Sequence, residues 1–123
     1  AIREEGGRAE AIALDVTDLA AMRAALAARP AFDVLVNNAG SARHAHVLDV
    51  TEADYDAVLD LNLRSAFFVM QQVARDMKAA GLRGSIVNLS SQMGHVGGPR
   101  RSVYCATKFA IEGLTKASAR WRT

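Results

Sequence analysis

A single cysteine, Cys105, stands in the 123 residues, so no disulfide can close within the chain. Charge of one sign is equally scarce as a block: 15 basic and 13 acidic residues are scattered along the whole length, for a formal net charge of +2. A pI near 9.0 reached without a basic cluster gives nucleic acid no electrostatic footprint to bind. No apolar run is long enough to span a bilayer, and no charged-then-apolar leader opens the chain. Repeats, low-complexity tracts and linkers are also missing. These absences read as a cytoplasmic protein with neither membrane nor nucleic acid as partner. With 50% hydrophobic and 23% charged residues, the chain has the make-up of one globular domain or a piece of one.

Three short runs rich in Val, Ile and Leu end in polar or small residues: "AEAIALDV" (9–16), "DVLVNNAG" (33–40) and "GSIVNLSS" (84–91). They predict buried strands with functional carboxyl ends. Helical patterns lie between them, over 18–29 ahead of Pro30 and over 52–80, the latter opened by "TEAD" (51–54) at capping-box spacing. A third helix is expected from Ser102, still helical in composition at Thr123. Strands alternating with crossover helices predict an α/β fold with a parallel sheet covered on both faces, whose ligands sit at the carboxyl ends of the strands. "AIREEGG" (1–7) reads as a helix end with a glycine cap and no strand before it. The chain therefore reads as the middle of a larger domain.

Several residues stand out against this frame. Tyr104 and Lys108 are four apart in "SVYCATKFA" (102–110), hence on one helical face. The pair is either a proton-handling couple or a half-buried ring beside a solvated ammonium. Asn62 falls on the apolar stripe traced by Tyr55, Val58, Leu59, Ala66, Val69, Met70, Val73 and Met77. A buried amide without partners costs about 1–3 kcal/mol, so Asn62 needs hydrogen bonds, either to local backbone or at a site. Ser91 ends the third predicted strand. Gly94, Gly97, Gly98 and Pro99 let the next loop turn back so that Ser91 meets Tyr104; a turn or cap role for the serine is the alternative.

The ordered set of "LDVTD" (14–18), "NNAG" (37–40), Asn62 within "LNL", Ser91 thirteen positions before Tyr104, and Tyr-x-x-x-Lys resembles the short-chain dehydrogenase/reductase family across essentially the whole chain. The resemblance implies a doubly wound, Rossmann-like parallel sheet spanning 1–123. It implies a catalytic tetrad of Asn62, Ser91, Tyr104 and Lys108. Asp15 and Val16 would contact an adenine, and Asn37, Asn38, Ala39 and Gly40 would wall the nicotinamide ribose, which Lys108 would also hold. The cofactor would be NAD or NADP and the substrate a small alcohol or carbonyl compound. Hydride transfer belongs to the cofactor, so the protein must position the reactants and manage a proton on oxygen. An ammonium beside a phenol favours the phenolate. Tyr104 would thus act as general acid or base, with Ser91 bonding the same oxygen and Asn62 holding a water that relays the proton from Lys108. The resemblance further implies a homodimer or homotetramer of the full-length protein through helix 52–80 and the helix from Ser102.

The family's glycine-rich phosphate turn is not found: no G-x-G-x-x-G occurs among the nine glycines. The first strand–helix unit and the C-terminal part are expected to be missing, and the 123-residue polypeptide alone is expected not to bind a dinucleotide at micromolar concentration. Met93 and His95, with Ser91 and Tyr104, are candidate substrate contacts. Arg100 and Arg101 point either to an anionic or sugar-acid substrate or to a solvated basic turn. "HAH" (44–46) lacks the carboxylate or cysteine that would make a metal site, so no metal is expected, and Cys105 has no base at a defined spacing. An epimerase or dehydratase acting on a nucleotide sugar with the same Tyr–Lys pair, and a non-catalytic binding protein of the same fold, are the rival readings.

Overall fold

A computed structural model describes residues 1–119. Two parallel strands, β1 (Val34–Asn37) and β2 (Ser85–Asn88), pair in register, with Val34 opposite Ser85 and Asn37 opposite Asn88. The helix α1 (Leu19–Ala27) precedes β1, and α2 (Glu52–Leu59) and α3 (Ser65–Ala79) connect the strands. After β2 comes α4 (Ser102–Ser118). The expectation of helix up to Thr123 lies outside the described residues from 120 on.

Local chemistry explains the helix starts. The Asp18 carboxylate accepts from the amides of Ala20 and Ala21, satisfying two donors that α1 cannot pair internally. The Thr51 hydroxyl oxygen accepts from the Asp54 amide at 3.1 Å, the N-cap half of the capping box read over 51–54.

The long helix expected over 52–80 is interrupted. Between α2 and α3, Asp60–Arg64 form a π-helical turn in which the Ser65 amide donates to the Asp60 carbonyl, five residues back. Val58, Asn62, Ala66, Met70, Val73 and Met77 are buried along this segment. Tyr55, placed on the same stripe by the spacing, is exposed instead, because the stripe turns inward only from the second turn of α2.

Residues 9–16 form no strand. A parallel ladder needs a neighbour, and no strand among the described residues lies beside this run, which leaves only Leu14 and Val16 half-buried. Among the described residues the sheet is also covered on one face alone. Leu35, Asn37, Ile86 and Asn88 turn toward the helices, while Val34 and Val36 are 58% exposed and Val87 46%. α1 packs on α3, α3 on β1, and α4 on α2 and the π turn. Right-handed crossovers that advance in one direction across a sheet deliver every helix to the same side.

Candidate active site

The first turn of α4 carries Tyr104, and the next turn carries Lys108 on the same face. Lys108 is 7% exposed, and its Nζ donates to the Leu89 carbonyl at 2.8 Å, just past the end of β2. That bond fixes the ammonium 5.7 Å from the centroid of the Tyr104 ring. An ammonium has three donors and one is spent on Leu89, so two remain for a ligand of the cleft that Lys108 lines. The spacing in sequence and the position of the strand end thus bring phenol and ammonium together.

Asn62 is 2% exposed within the π turn, and its amide is fully occupied. The Oδ1 accepts from the Ser41 amide at 2.8 Å, and Nδ2 donates to the Ser41 carbonyl at 2.8 Å and to the Thr107 hydroxyl at 3.2 Å. Thr107 in turn donates to the Tyr104 carbonyl at 2.8 Å. The asparagine therefore ties the loop after β1 to the turn of α4 that bears Tyr104 and Lys108. Its side chain spends these bonds on the wall of the cleft rather than on its own helix.

Ser91 caps the 3-10 turn Gln92–Gly94, its Oγ accepting from the Met93 amide at 3.2 Å. It makes no hydrogen bond to Tyr104 among the described residues, and its hydroxyl proton is left to donate. Asn37, at the inward parity of β1, donates to the Ala66 carbonyl at 2.8 Å and to Asn88 Oδ1 at 3.2 Å. It thus braces the sheet against α3 rather than facing the cleft. Asp15 is exposed, and its carboxylate accepts from the Thr17 hydroxyl at 2.7 Å and the Thr17 amide at 2.9 Å. Those two bonds, the hydroxyl's first, favour the carboxylate and hold its pKa below the ordinary carboxylate range.

A cleft of about 330 Å³ opens where these elements meet, lined by Asn38, Gly40, Ser41, Ala42 and His44 on one wall and by Leu89, Ser90, Arg101, Tyr104 and Lys108 on the other. Gly40 keeps the first wall flush: a Cβ there would stand 3.3 Å from Asn62 Oδ1. Asn38, Gly40, Arg101, Tyr104 and Lys108 from the sequence expectations line this cleft; Asp15, Val16, Asn37, Ala39, Asn62, Ser91, Met93 and His95 do not. Met93 is buried beneath the loop, and His95 pairs with Glu112 on α4 at 3.4 Å. Sequence reasoning passed over Ser90 and treated His44 as a loop residue; its place in the segment just after "NNAG" is the signal that could have found it. No group of three or more His, Cys, Asp or Glu side chains among the described residues is placed to hold a metal ion, and Cys105 is buried.

Known proteins similar to this chain are numerous. Residues 1–121 match the short chain dehydrogenase family. The chain is 41% identical over 119 residues to sorbitol dehydrogenase of Cereibacter sphaeroides, covering 94% of this chain and 46% of that protein. It is 43% identical over 110 residues to L-xylulose reductase of Bos taurus, covering 89% and 45%. Among solved structures, a gluconate 5-dehydrogenase from Burkholderia cenocepacia J2315 in complex with NADP and tartrate superposes with a TM-score of 0.88 at 39% identity, over 98% of this chain and 49% of that one. The chain spans about half the length of the curated relatives it matches. Matched over nearly its whole length, and with the parallel α/β architecture of that fold, the chain belongs to the short-chain dehydrogenase family.

Proposed function

We propose that the full-length protein is an NAD- or NADP-dependent oxidoreductase of small polyhydroxy alcohols and their carbonyl counterparts, and that residues 1–123 form part of its catalytic, cofactor-binding domain. The single observation that carries this reading is the Tyr104–Lys108 pair: a phenol on the cleft wall with a buried ammonium 5.7 Å from its ring. The names of the relatives, sorbitol dehydrogenase and L-xylulose reductase, and the NADP held by the gluconate 5-dehydrogenase support the substrate class and the cofactor.

The donor set suits the ribose end of a dinucleotide. Two unspent Lys108 donors beside the side-chain-free Gly40 match a flat sugar diol, and a cleft of about 330 Å³ admits a ring and a small polyol rather than a whole dinucleotide. When bound, the nicotinamide supplies two-electron hydride exchange with the carbinol carbon. The proton is the chain's part. Tyr104, as the phenolate that the Lys108 charge stabilises, takes it from the hydroxyl as the carbonyl forms, and as the neutral phenol returns it in reduction. The free Ser91 hydroxyl proton, one residue beyond the cleft-lining Ser90, supplies the second hydrogen bond to the substrate oxygen once the complex tightens. The Asn62 side chain is a positioning group, and any water it serves must be held by its backbone. Exposed Phe67 on α3 and Phe109 on α4 suit a homodimer or homotetramer built on those helices. The setting we infer is the cytoplasm.

Tyr104→Phe in the full-length protein keeps the ring and removes the proton, so turnover should fall by about 10²–10⁴-fold while cofactor affinity is kept. Near-normal turnover of alcohols by that variant would refute the tyrosine assignment.

A further inference from the structure

Arg101 is the residue of this cleft that proton chemistry leaves unexplained. It immediately precedes α4, yet its side chain makes no capping hydrogen bond, and only its backbone carbonyl serves the helix, accepting from the Cys105 amide at 2.8 Å. The residue is half-buried and lines the cleft together with Tyr104 and Lys108. No carboxylate among the described residues lies within ion-pair distance of its guanidinium. Its stem is held in place from behind. A Cβ on Gly98 would stand 3.4 Å from Arg101 Cδ and 2.9 Å from the sulfur of Met93, so the glycine lets the loop close against both. Neighbouring Arg100 differs in every respect: it is exposed, sits at φ 59°, and is not among the residues lining the cleft.

The cleft walls carry two basic side chains, Arg101 and Lys108, and one histidine, His44, but no Asp or Glu. A half-buried guanidinium is a planar fork of donors matched to a carboxylate, and leaving it unpaired beside a second cation is unfavourable unless an anion arrives. A neutral polyol offers no such charge.

Resting on the oxidoreductase reading of the same site, we propose that the substrate is a hydroxy acid of the sugar-acid type. Arg101 takes the carboxylate while Tyr104 faces the secondary hydroxyl that is oxidised to a ketone. The carbinol hydrogen leaves as hydride to the nicotinamide and the hydroxyl proton leaves to Tyr104, so the carboxylate is unchanged throughout. The second anion that could reach Arg101 is a phosphate of the cofactor, and the two sources separate by experiment.

The test uses the full-length protein with its preferred dinucleotide and matched pairs of probes: D-gluconate against sorbitol, tartrate against threitol, 3-hydroxybutyrate against 2-butanol. At least one acid should exceed its matched alcohol in kcat/KM by about 10-fold or more. Arg101→Gln should lower kcat/KM for that acid by about 10- to 100-fold, chiefly through KM, and leave the matched alcohol within a few-fold. Arg101→Lys should recover part of the loss, and Arg100→Gln, which removes the same charge one position away, should leave the selectivity intact. Calorimetric titration with tartrate should show binding that Arg101→Gln abolishes. Preference for the alcohols, or equal losses for acid and alcohol, overturns the carboxylate assignment and leaves the oxidoreductase reading standing. A rise in cofactor Kd of the same factor in Arg101→Gln also overturns it, in favour of a phosphate contact. If nothing is turned over but tartrate binding still requires Arg101, the anion site stands and the oxidoreductase reading falls.

Discussion

Of two openings on the surface of the described residues, the larger one is not where the chemistry converges. A groove of about 720 Å³ runs between α3, β2 and α4, with Phe67, Met70, Met77, Leu82 and Ile86 among its lining. The cleft over the strand ends has less than half that volume, about 330 Å³. The groove follows the free edge of β2, where no further strand lies among the described residues, so its volume measures packing that stops there. The cleft is shaped by hydrogen bonds instead: Lys108 to Leu89, Asn62 to Ser41, Thr107 to Tyr104. Size thus reports absent neighbours, whereas convergent polar groups with fixed partners report a site.

The largest expected effect that separates the two openings comes from Lys108. In the full-length protein, Lys108→Met removes both the bond to Leu89 and the ammonium in the cleft. Cofactor Kd, followed by nicotinamide fluorescence, should rise by about 10- to 100-fold, and turnover should fall by at least about 10²-fold. Gln71→Ala and Arg75→Ala, in the groove, should change neither quantity. A variant at Lys108 that lost rate but kept cofactor affinity would remove the ribose role; an equal loss at Gln71 would break the contrast itself.

How much of this was readable beforehand depended on whether a residue's role is set by local periodicity or by a distant partner. Tyr104 and Lys108 were legible because a helix places positions four apart on one face, whatever surrounds it. The burial of Asn62 followed from its place on the stripe. Its partners did not, because Ser41 lies twenty-one residues away in sequence, on a loop whose return path no periodicity encodes. The π turn around it was hidden for a similar reason, since one extra residue in a turn leaves an apolar pattern nearly unchanged. Parity decided Asn37: a strand alternates, and only the pairing with Asn88 shows that Asn37 faces the helices while Asn38 reaches the cleft. The run 9–16 has the composition of a strand, but a strand is a relation between two segments.

A middle-sized effect is expected at Asn62. Replacing it with alanine strands the amide and carbonyl of Ser41 and frees Thr107, so the full-length protein should lose about 2–3 kcal/mol of stability by urea unfolding. The conservative Asn62→Asp keeps the acceptor for the Ser41 amide but sets a carboxylate against the Ser41 carbonyl, and should also destabilise. The wall carrying Gly40 and Ser41 should loosen with it, raising the KM for substrate more than an equally destabilising change in the groove, such as Met77→Ala, does. Equal KM for the two variants would mean that Asn62 supports the fold alone.

The smallest effect tests whether the turn that joins Asp15 to Thr17 is ordered before any ligand arrives. The Asp15 carboxylate already accepts two hydrogen bonds from Thr17, first from the hydroxyl and then from the amide, and both favour the ionised form. Its folded-state acidity is therefore stronger than in the unfolded chain. By linkage the contribution is complete at pH above the unfolded carboxylate's titration and is lost as pH falls through the folded one, so it is absent in strong acid and constant at neutral pH. Because Asp15 is fully exposed, the consequence belongs to titration rather than to measurable stability. Carbon-detected NMR of the Asp15 carboxyl in the cofactor-free, full-length protein should give a midpoint below the ordinary aspartate value. Thr17→Val, which removes the hydroxyl and keeps the amide, should move that midpoint back most of the way. A wild-type midpoint at the ordinary value would show that this turn is not closed without ligand, in contrast to the cleft wall tied by Asn62 and Lys108.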